Sequence, residues 1–442
     1  MKTIMIRTTV LCVILLWSLT QLPASEIPAK KQDHPIALLG AMIHPMTGPV
    51  IERGTILFDK GKIVAVGIDI DLPPGTERID VSGKHIYPGM IDANTNIGLV
   101  EIGAVRATRD ISEVGSINPN IRAEVAVNPE SELIPVTRAN GISITVTMPE
   151  GGIISGTAAA MELDGWTGED MTLKAPLGLV VNWPQMTINR ARWERRTEEE
   201  QKKERDKALN ELRNAFRDAR AYMKAKRSET QKGVPPHDTD LRWEAMVPVL
   251  DGKIPVLMNA QEIQQIQAAV AWAEQEHVKL VIVGGYDAWR TTDLLKASNI
   301  PVIVNPIHRT PWRRWEAYDE PFTLPKKLYD AGVRFCIAGE GGSSNERNLP
   351  YHAATASAYG LPKEEALKAV TLYPAQILGI ADRVGSLDVG KDATLIVTNG
   401  DPLEIRTNVE MEFIQGKNIP LTSRHTRLYE KYKEKYKRLK GE

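Results

Sequence analysis

Cysteine is almost missing from this chain: 442 residues contain two, Cys12 and Cys336. Without a C-x-x-C or a Cys-rich cluster, thiolate zinc sites and disulfide scaffolds are excluded. A surplus of one charge is missing as well. The formal net charge is −1, so nothing in the overall balance points to nucleic acid. No G-x-G-x-x-G follows any strand-like run, which counts against an open dinucleotide-binding sheet.

What is present begins at the N-terminus. Lys2 and Arg7 precede the apolar run "TTVLCVILLWSL", and the small residues Ala24 and Ser25 follow it. That layout predicts a signal peptide over residues 1–24 and an exported protein, periplasmic or extracellular. An uncleaved membrane anchor is the alternative, although the run is shorter than the ~20 residues a spanning helix needs. Cleavage leaves Cys336 alone in "VRFCIAG", where it reads as a small core residue. The mature fold then depends on its core without covalent help.

Three regions follow. Residues 36–87 hold short strand-like pieces punctuated by Gly and Asp, and residues 385–423 hold matching ones in "GSLDVGKDATLIV" and "VEMEFIQGKNI". Together they predict one composite β-sandwich domain built from both chain ends. Between them, over 88–384, short apolar strands such as "HIYPGMIDA", "IPVLMNA", "KLVIVGG", "IPVIVNP" and "VRFCIAGE" alternate with amphipathic helices. Strands without a polar face imply a sheet covered on both sides, and about eight units imply an α/β fold with a (β/α)8 TIM-like barrel. The third or fourth strand is either "AAAMELDG" or "LGLVVNWP". A charge-dense helical insertion near 190–232 carries Leu209, Leu212, Phe216, Ala219 and Met223 on one face, to lie on the barrel or pair with another subunit. The basic tail, 424–442, repeats the pattern with Leu428, Tyr432, Tyr436 and Leu439, and reads as a solvated capping helix. A membrane-surface helix would carry more bulky apolar residues.

"GKIVAVG", "IDVSGKHIYPGMIDA" and "EEALKAVTLYPAQILGIADRVGSLDVGKDATLIV" resemble the amidohydrolase superfamily, in particular its exported imidazolonepropionase-like members. The resemblance covers nearly all of residues 36–417. It implies a barrel plus a composite β domain, and metal-assisted hydrolysis of C–N bonds other than peptide bonds. A divalent, zinc-like metal would be the family norm. It would be held by His-x-His after the first strand, often a carboxylated Lys after the fourth, a His after the fifth and sixth, and an Asp after the eighth. In this chain those places fall on Asn94 and Asn96, on no lysine, on Asn259, on Gly284 and on Glu340. Neutral amide oxygens are poor zinc ligands. The expectation is therefore no cofactor and no metal ligand.

The residues left at that face suggest acid/base chemistry without metal. Glu340, His308 and His352 are the catalytic candidates, and each His can instead be a hydrogen-bonded rim residue. Asn94, Asn96, Asn259, Arg309 and Arg313 are the candidates for holding substrate, with Trp312 and Trp315 as a wall; Arg and Trp can equally seal the barrel mouth. The expected partner is a small-molecule substrate or ligand, not nucleic acid, with a membrane reached only through an uncleaved signal. A homo-oligomer or related subunit is left open. Two functions compete: a hydrolase of small C–N substrates with an altered, metal-free site, and a non-catalytic relative kept for binding or assembly.

Overall fold

The computed structural model of the protein describes residues 27–229 and 235–440; the expected signal segment, 1–24, lies outside them. The chain first lays down β1 (Ile36–Ile43), β2 (Ile51–Asp59), β3 (Lys62–Gly67), β4 (Glu77–Asp80) and β5 (His85–Pro88). It then forms β6 (Met90–Thr95), β7 (Ile142–Thr147), β8 (Ile154–Glu162), β9 (Thr172–Asn182), β10 (Val256–Ala260), β11 (Leu280–Gly284), β12 (Val302–Val304) and β13 (Phe335–Ile337). It closes with β14 (Leu395–Thr398), β15 (Val409–Ile414) and β16 (Lys417–Ile419).

Strands from both chain ends share one sheet, in the order β16-β15-β14-β5-β1-β2-β3, with β4 beside β1. The sheet coils over itself. Phe58 of β2 and Phe413 of β15 are separated by three strands, yet their rings meet edge-on at 5.0 Å. Alternate residues turn inward: Ile36 and Leu38, Ile56 and Phe58, and Leu395 and Val397 all enter this enclosed core.

The second sheet, β6 to β13 in sequence order, wraps into a near-closed eight-stranded barrel. Alternate residues serve two cores. Ile91, Ile144, Val180, Leu257, Val283 and Cys336 fill the interior. Met90, Ile142, Val181, Met258, Ile282 and Ile337 meet the outer helices. This is why the strands read as unbroken apolar runs, and it places Cys336 in the core as expected. The rim between β13 and β6 is joined by a side chain: the backbone N–H of Gly339 donates to both oxygens of Asp92 at 3.1 Å.

Three features depart from the sequence reading. "AAAMELDG" and "LGLVVNWP" are both strands, and β8 runs antiparallel to β7 and β9. The links before and after β8 are too short for a crossover helix of normal length, so the strand returns as a hairpin would. "HIYPGMIDA" is not one strand but two, divided at Gly89 between the sheets. A side chain at Gly89 would overlap Ser143, so only glycine lets the chain cross there. The insertion forms the helix Glu198–Ser228, opened by a Thr197/Glu200 capping box. It lies on the barrel, burying Leu212, Ala215, Phe216 and Ala219, with Phe216 edge-on to Trp272 at 4.8 Å. The tail helix, Arg424–Leu439, buries no residue, so it caps nothing.

Candidate active site

Seven of the eight barrel strands end at the same mouth, and the polar residues that finish those apolar runs line it. On one side Asn259, ending β10, lies in register with Asn182, ending β9. Asn259 Nδ2 donates to Asn182 Oδ1 at 2.7 Å. Asn182 Nδ2 in turn donates to Ser155 Oγ and the Gly152 carbonyl, both at 2.9 Å. The two amides are thus committed to each other and to the neighbouring loop. Asn182 stands where the resemblance implies a fourth-strand lysine, and sequence reading did not single it out.

On the other side stand Asn94, Asn96 and Glu340. Asn96 Oδ1 accepts from the Ser343 N–H at 2.9 Å, and its Nδ2 donates to Glu150 at 3.2 Å. The Asn94 amide nitrogen points toward Gly341 near that of Asn305, and makes no side-chain hydrogen bond among the described residues. Glu340, half-buried after β13, accepts from Asn345 Nδ2 at 2.8 Å. Gly284 does not join them. Val281 and Val283 point inward, so Gly284 takes the outward face at φ 95°, beneath the side chain of Gln261.

His308 is in reach of the Glu340 charge, which opposes the desolvation that lowers the imidazole below its ordinary pKa. The Thr355 hydroxyl donates to the Tyr351 carbonyl at 2.9 Å. It must therefore accept from His308 Nε2, 2.8 Å away, which leaves Nδ1 as the basic nitrogen of His308. His352 stacks behind it, with ring centroids 4.1 Å apart. Its Nδ1 accepts from the backbone N–H groups of Ile307 and His308 at 3.2 and 3.3 Å. Burial lowers its pKa to about 3. A neutral, fully buried acceptor cannot exchange protons with a substrate, so His352 holds the 307–308 turn in place.

The arginines separate in the same way. Arg313 donates to both oxygens of Asp287 at 2.7–2.8 Å and to Glu316 at 2.8 Å, so its charge is already satisfied. It pins the loop after β12 to the loop after β11. Arg309 lies over the Tyr286 ring at 3.8 Å, and Tyr286 meets Trp312 edge-on at 5.1 Å. Trp315 lies under Arg290 and Arg313. The rim is a layered wall, and of its two candidate arginines Arg309 is the one whose guanidinium has no carboxylate partner among the described residues.

Behind the mouth is a pair that sequence reading missed. Asp92 and Glu346 are both fully buried side by side, and a Cβ on Gly339 would sit 2.5 and 2.6 Å from their oxygens. Burial raises both pKa values, and for Glu346 the Asp92 charge adds to the rise. Two carboxyls in contact without a cation hold one proton between them. The alternation Asp92, Asn94, Asn96 marks the first of the pair in the sequence; nothing local marks Glu346, six residues past Glu340.

These donors do not fit a zinc-like ion. The strand ends offer three asparagine amides engaged elsewhere, two, Asn94 and Asn305, without a side-chain hydrogen bond among the described residues, and one carboxylate. Among the described residues no three His, Cys, Asp or Glu side chains gather closely enough to hold a metal. A cavity of about 720 Å³ opens at the opposite end of the barrel, beside Leu177, Pro255, Leu280 and Pro301, and contains none of these residues.

The Amidohydrolase family model matches residues 319–422. The amidohydrolase tasK of Hapsidospora irregularis is 22% identical over 388 residues, 82% of this chain, and the chain spans only 39% of that protein's length. The imidazolonepropionase of Fusobacterium nucleatum is 24% identical over 79% of this chain and 86% of its own. Among solved structures, an amidohydrolase from Thermotoga maritima superposes with a TM-score of 0.78 at 28% identity, covering 87% of this chain and 99% of the other. A prolidase solved with N-methylphosphonate-L-proline shares the fold at 17% identity and a TM-score of 0.55. The matched signature, relatives that run most of the chain's length and the common barrel make this chain similar to amidohydrolases in sequence and in fold.

Proposed function

We propose that this protein is an exported hydrolase of non-peptide C–N bonds in a small cyclic amide or related substrate, working without a zinc-like metal. The observation that carries the reading is the Glu340 carboxylate with His308 in reach of its charge, at the mouth where the family's chemistry takes place. Glu340 takes a proton from the water that adds to the carbonyl carbon. The unpartnered Asn94 amide, with Asn305 near it, donates to the oxyanion that forms. The proton passes to the leaving nitrogen as the C–N bond breaks, directly or through His308, giving acid and amine. Asn96, Asn182 and Asn259 shape the floor, and Arg309 offers the charge for an anionic substrate.

The second reading, a barrel kept for binding or assembly, is favoured by one observation: the Asn182–Asn259 pair ties up two strand ends that would otherwise face a substrate. A screen of small cyclic amides, ureas and dipeptides separates the two. Turnover abolished by Glu340→Gln and indifferent to a chelator supports the hydrolase. Binding without turnover in wild type and Glu340→Gln alike supports the second reading.

A further inference from the structure

The helix Arg424–Leu439 has no part in the barrel or its mouth. Its first turn is fixed by a capping box between Ser423 and Thr426. It is tied to the body through Arg427, which meets Glu132 at 3.0 Å. At about 100° per residue, His425, Leu428, Tyr429, Tyr432, Tyr436 and Leu439 fall within one arc of about 100°. Glu430 and Glu434 fall opposite it. Arg424, Lys431 and Lys435 line one margin of the arc and Lys433 the other. Arg427, which holds the body, lies away from the arc, so the apolar side faces outward. Leu428 is 41% exposed, Tyr436 58% and Leu439 71%.

We propose that this helix docks on the surface of an anionic lipid bilayer, with the Leu/Tyr arc at the headgroup level and the flanking cations on the lipid charges. The distribution suits that partner: apolar in front, cations at the margins, carboxylates behind. Tyrosine is at home at the membrane interface, and lysine stems reach past an apolar face to keep their charge in water. A second copy of the helix suits it less, because cationic margins would meet cationic margins, with seven Lys/Arg against two Glu in the helix. The place of the helix agrees. Ile27 and Pro28, where the chain enters the described fold, share a cavity of about 400 Å³ with Arg424 and Arg427. The chain therefore enters the described fold, at Ile27, beside the foot of this helix. Two leucines and three tyrosines bury too little surface to hold alone, so the attraction must depend on lipid charge and weaken with salt.

The test is sedimentation of the full chain with vesicles, every variant carrying the same N-terminus. Vesicles of one part phosphatidylglycerol to two parts phosphatidylcholine should bind at least about tenfold more strongly than pure phosphatidylcholine, since each basic residue near an anionic surface contributes several-fold. Raised salt should remove that difference. Lys431→Glu/Lys435→Glu and Leu428→Ser/Tyr432→Ser should each abolish the preference while leaving the circular dichroism of the body unchanged. Equal binding to both vesicles, binding unaffected by either double variant, or no binding would overturn the proposal. So would a dimer in sedimentation velocity that Leu428→Ser/Tyr432→Ser dissolves, which would assign the arc to a second copy.

Discussion

The two ends of the barrel treat charge in opposite ways. At the mouth, strand ends carry amides and a single carboxylate, and Arg313 of the rim is paired. At the other end, where the barrel meets the composite sheet, charge is buried in quantity. Asp164 accepts from Lys417 Nζ at 2.6 Å and lies 3.6 Å from Arg138, with Asp164 and Arg138 buried and Lys417 mostly so. Asp392 takes Arg383 at 2.7 Å and also pairs with Lys62. Glu412 and Glu162 are buried in the same region, and Ser143 Oγ donates to Glu412 at 2.6 Å. Ion pairs there join segments far apart in the chain, so they fix how two sheets mate.

The largest effect should come from the mating end. Arg138→Met leaves the buried Asp164 with one cation fewer and removes a donor to the Leu163 carbonyl. Loss of one partner from a buried ion pair costs about 3–5 kcal/mol. Chemical denaturation should show a loss of that size, with little change in turnover measured well below the midpoint. A loss under ~1 kcal/mol would mean that these charges are spectators.

At the mouth the structural penalty should be smaller. Asn259→Ala removes the donor that Asn182 Oδ1 accepts, and because that acceptor is only half-buried the cost should lie toward the lower end of the range of about 1–3 kcal/mol for a stranded buried group. Asn259→Leu, which fills the space but strands the same oxygen, should not recover it. If both variants are as stable as wild type, the amide pair is not a packed floor but a site open to water.

The pH dependence of stability should be smaller still and should also separate the ends. Burial raises Glu162 to about 7 and Glu412 to about 8, and for Glu412 the Ser143 bond only partly offsets it. A carboxyl whose folded pKa is raised contributes fully below its unfolded value, near 4.5, and that contribution is lost as pH rises through the folded value. Stability should therefore fall between about pH 5 and 8, and Glu412→Gln should flatten the upper part of the fall. Below the ordinary histidine pKa the sign reverses. His44 and His352, lowered by burial to about 4 and about 3, stay neutral in the fold and are protonated on unfolding. Stability should decline again in acid. A Glu412→Gln profile that still falls between pH 7 and 8 would remove Glu412 as the cause.

How far the sequence disclosed this division depends on what a single strand encodes. The two-ended sheet was legible because Gly and Asp turns bracket its strands. β9 to β13 were legible because apolar runs alternate with amphipathic helices. The reversal of β8 was not: its residues are buried on both faces whichever way it runs, and direction is set by the short links on either side. At the site, a polar residue ending an apolar run marks Asn94, Asn259 and Glu340 directly. Asn182 ends such a run too, but an amide in a lysine's place carries no signal of its own. Gln261 over Gly284 and Glu346 against Asp92 depend on register between different strands and loops, which no local pattern carries. The same holds for Arg313, which looks like a substrate clamp until Asp287 and Glu316 are seen beside it.

If the mouth performs C–N hydrolysis with Glu340 and without a metal, chelation should leave it untouched. The most direct test is to measure turnover of a substrate found in the amide screen, before and after prolonged chelation, alongside elemental analysis of the same sample. Unchanged turnover after chelation, substoichiometric zinc and iron, and loss of activity in Glu340→Gln are the expected results. Stoichiometric zinc or iron, with activity lost to the chelator and restored by adding the metal back, would contradict the proposal.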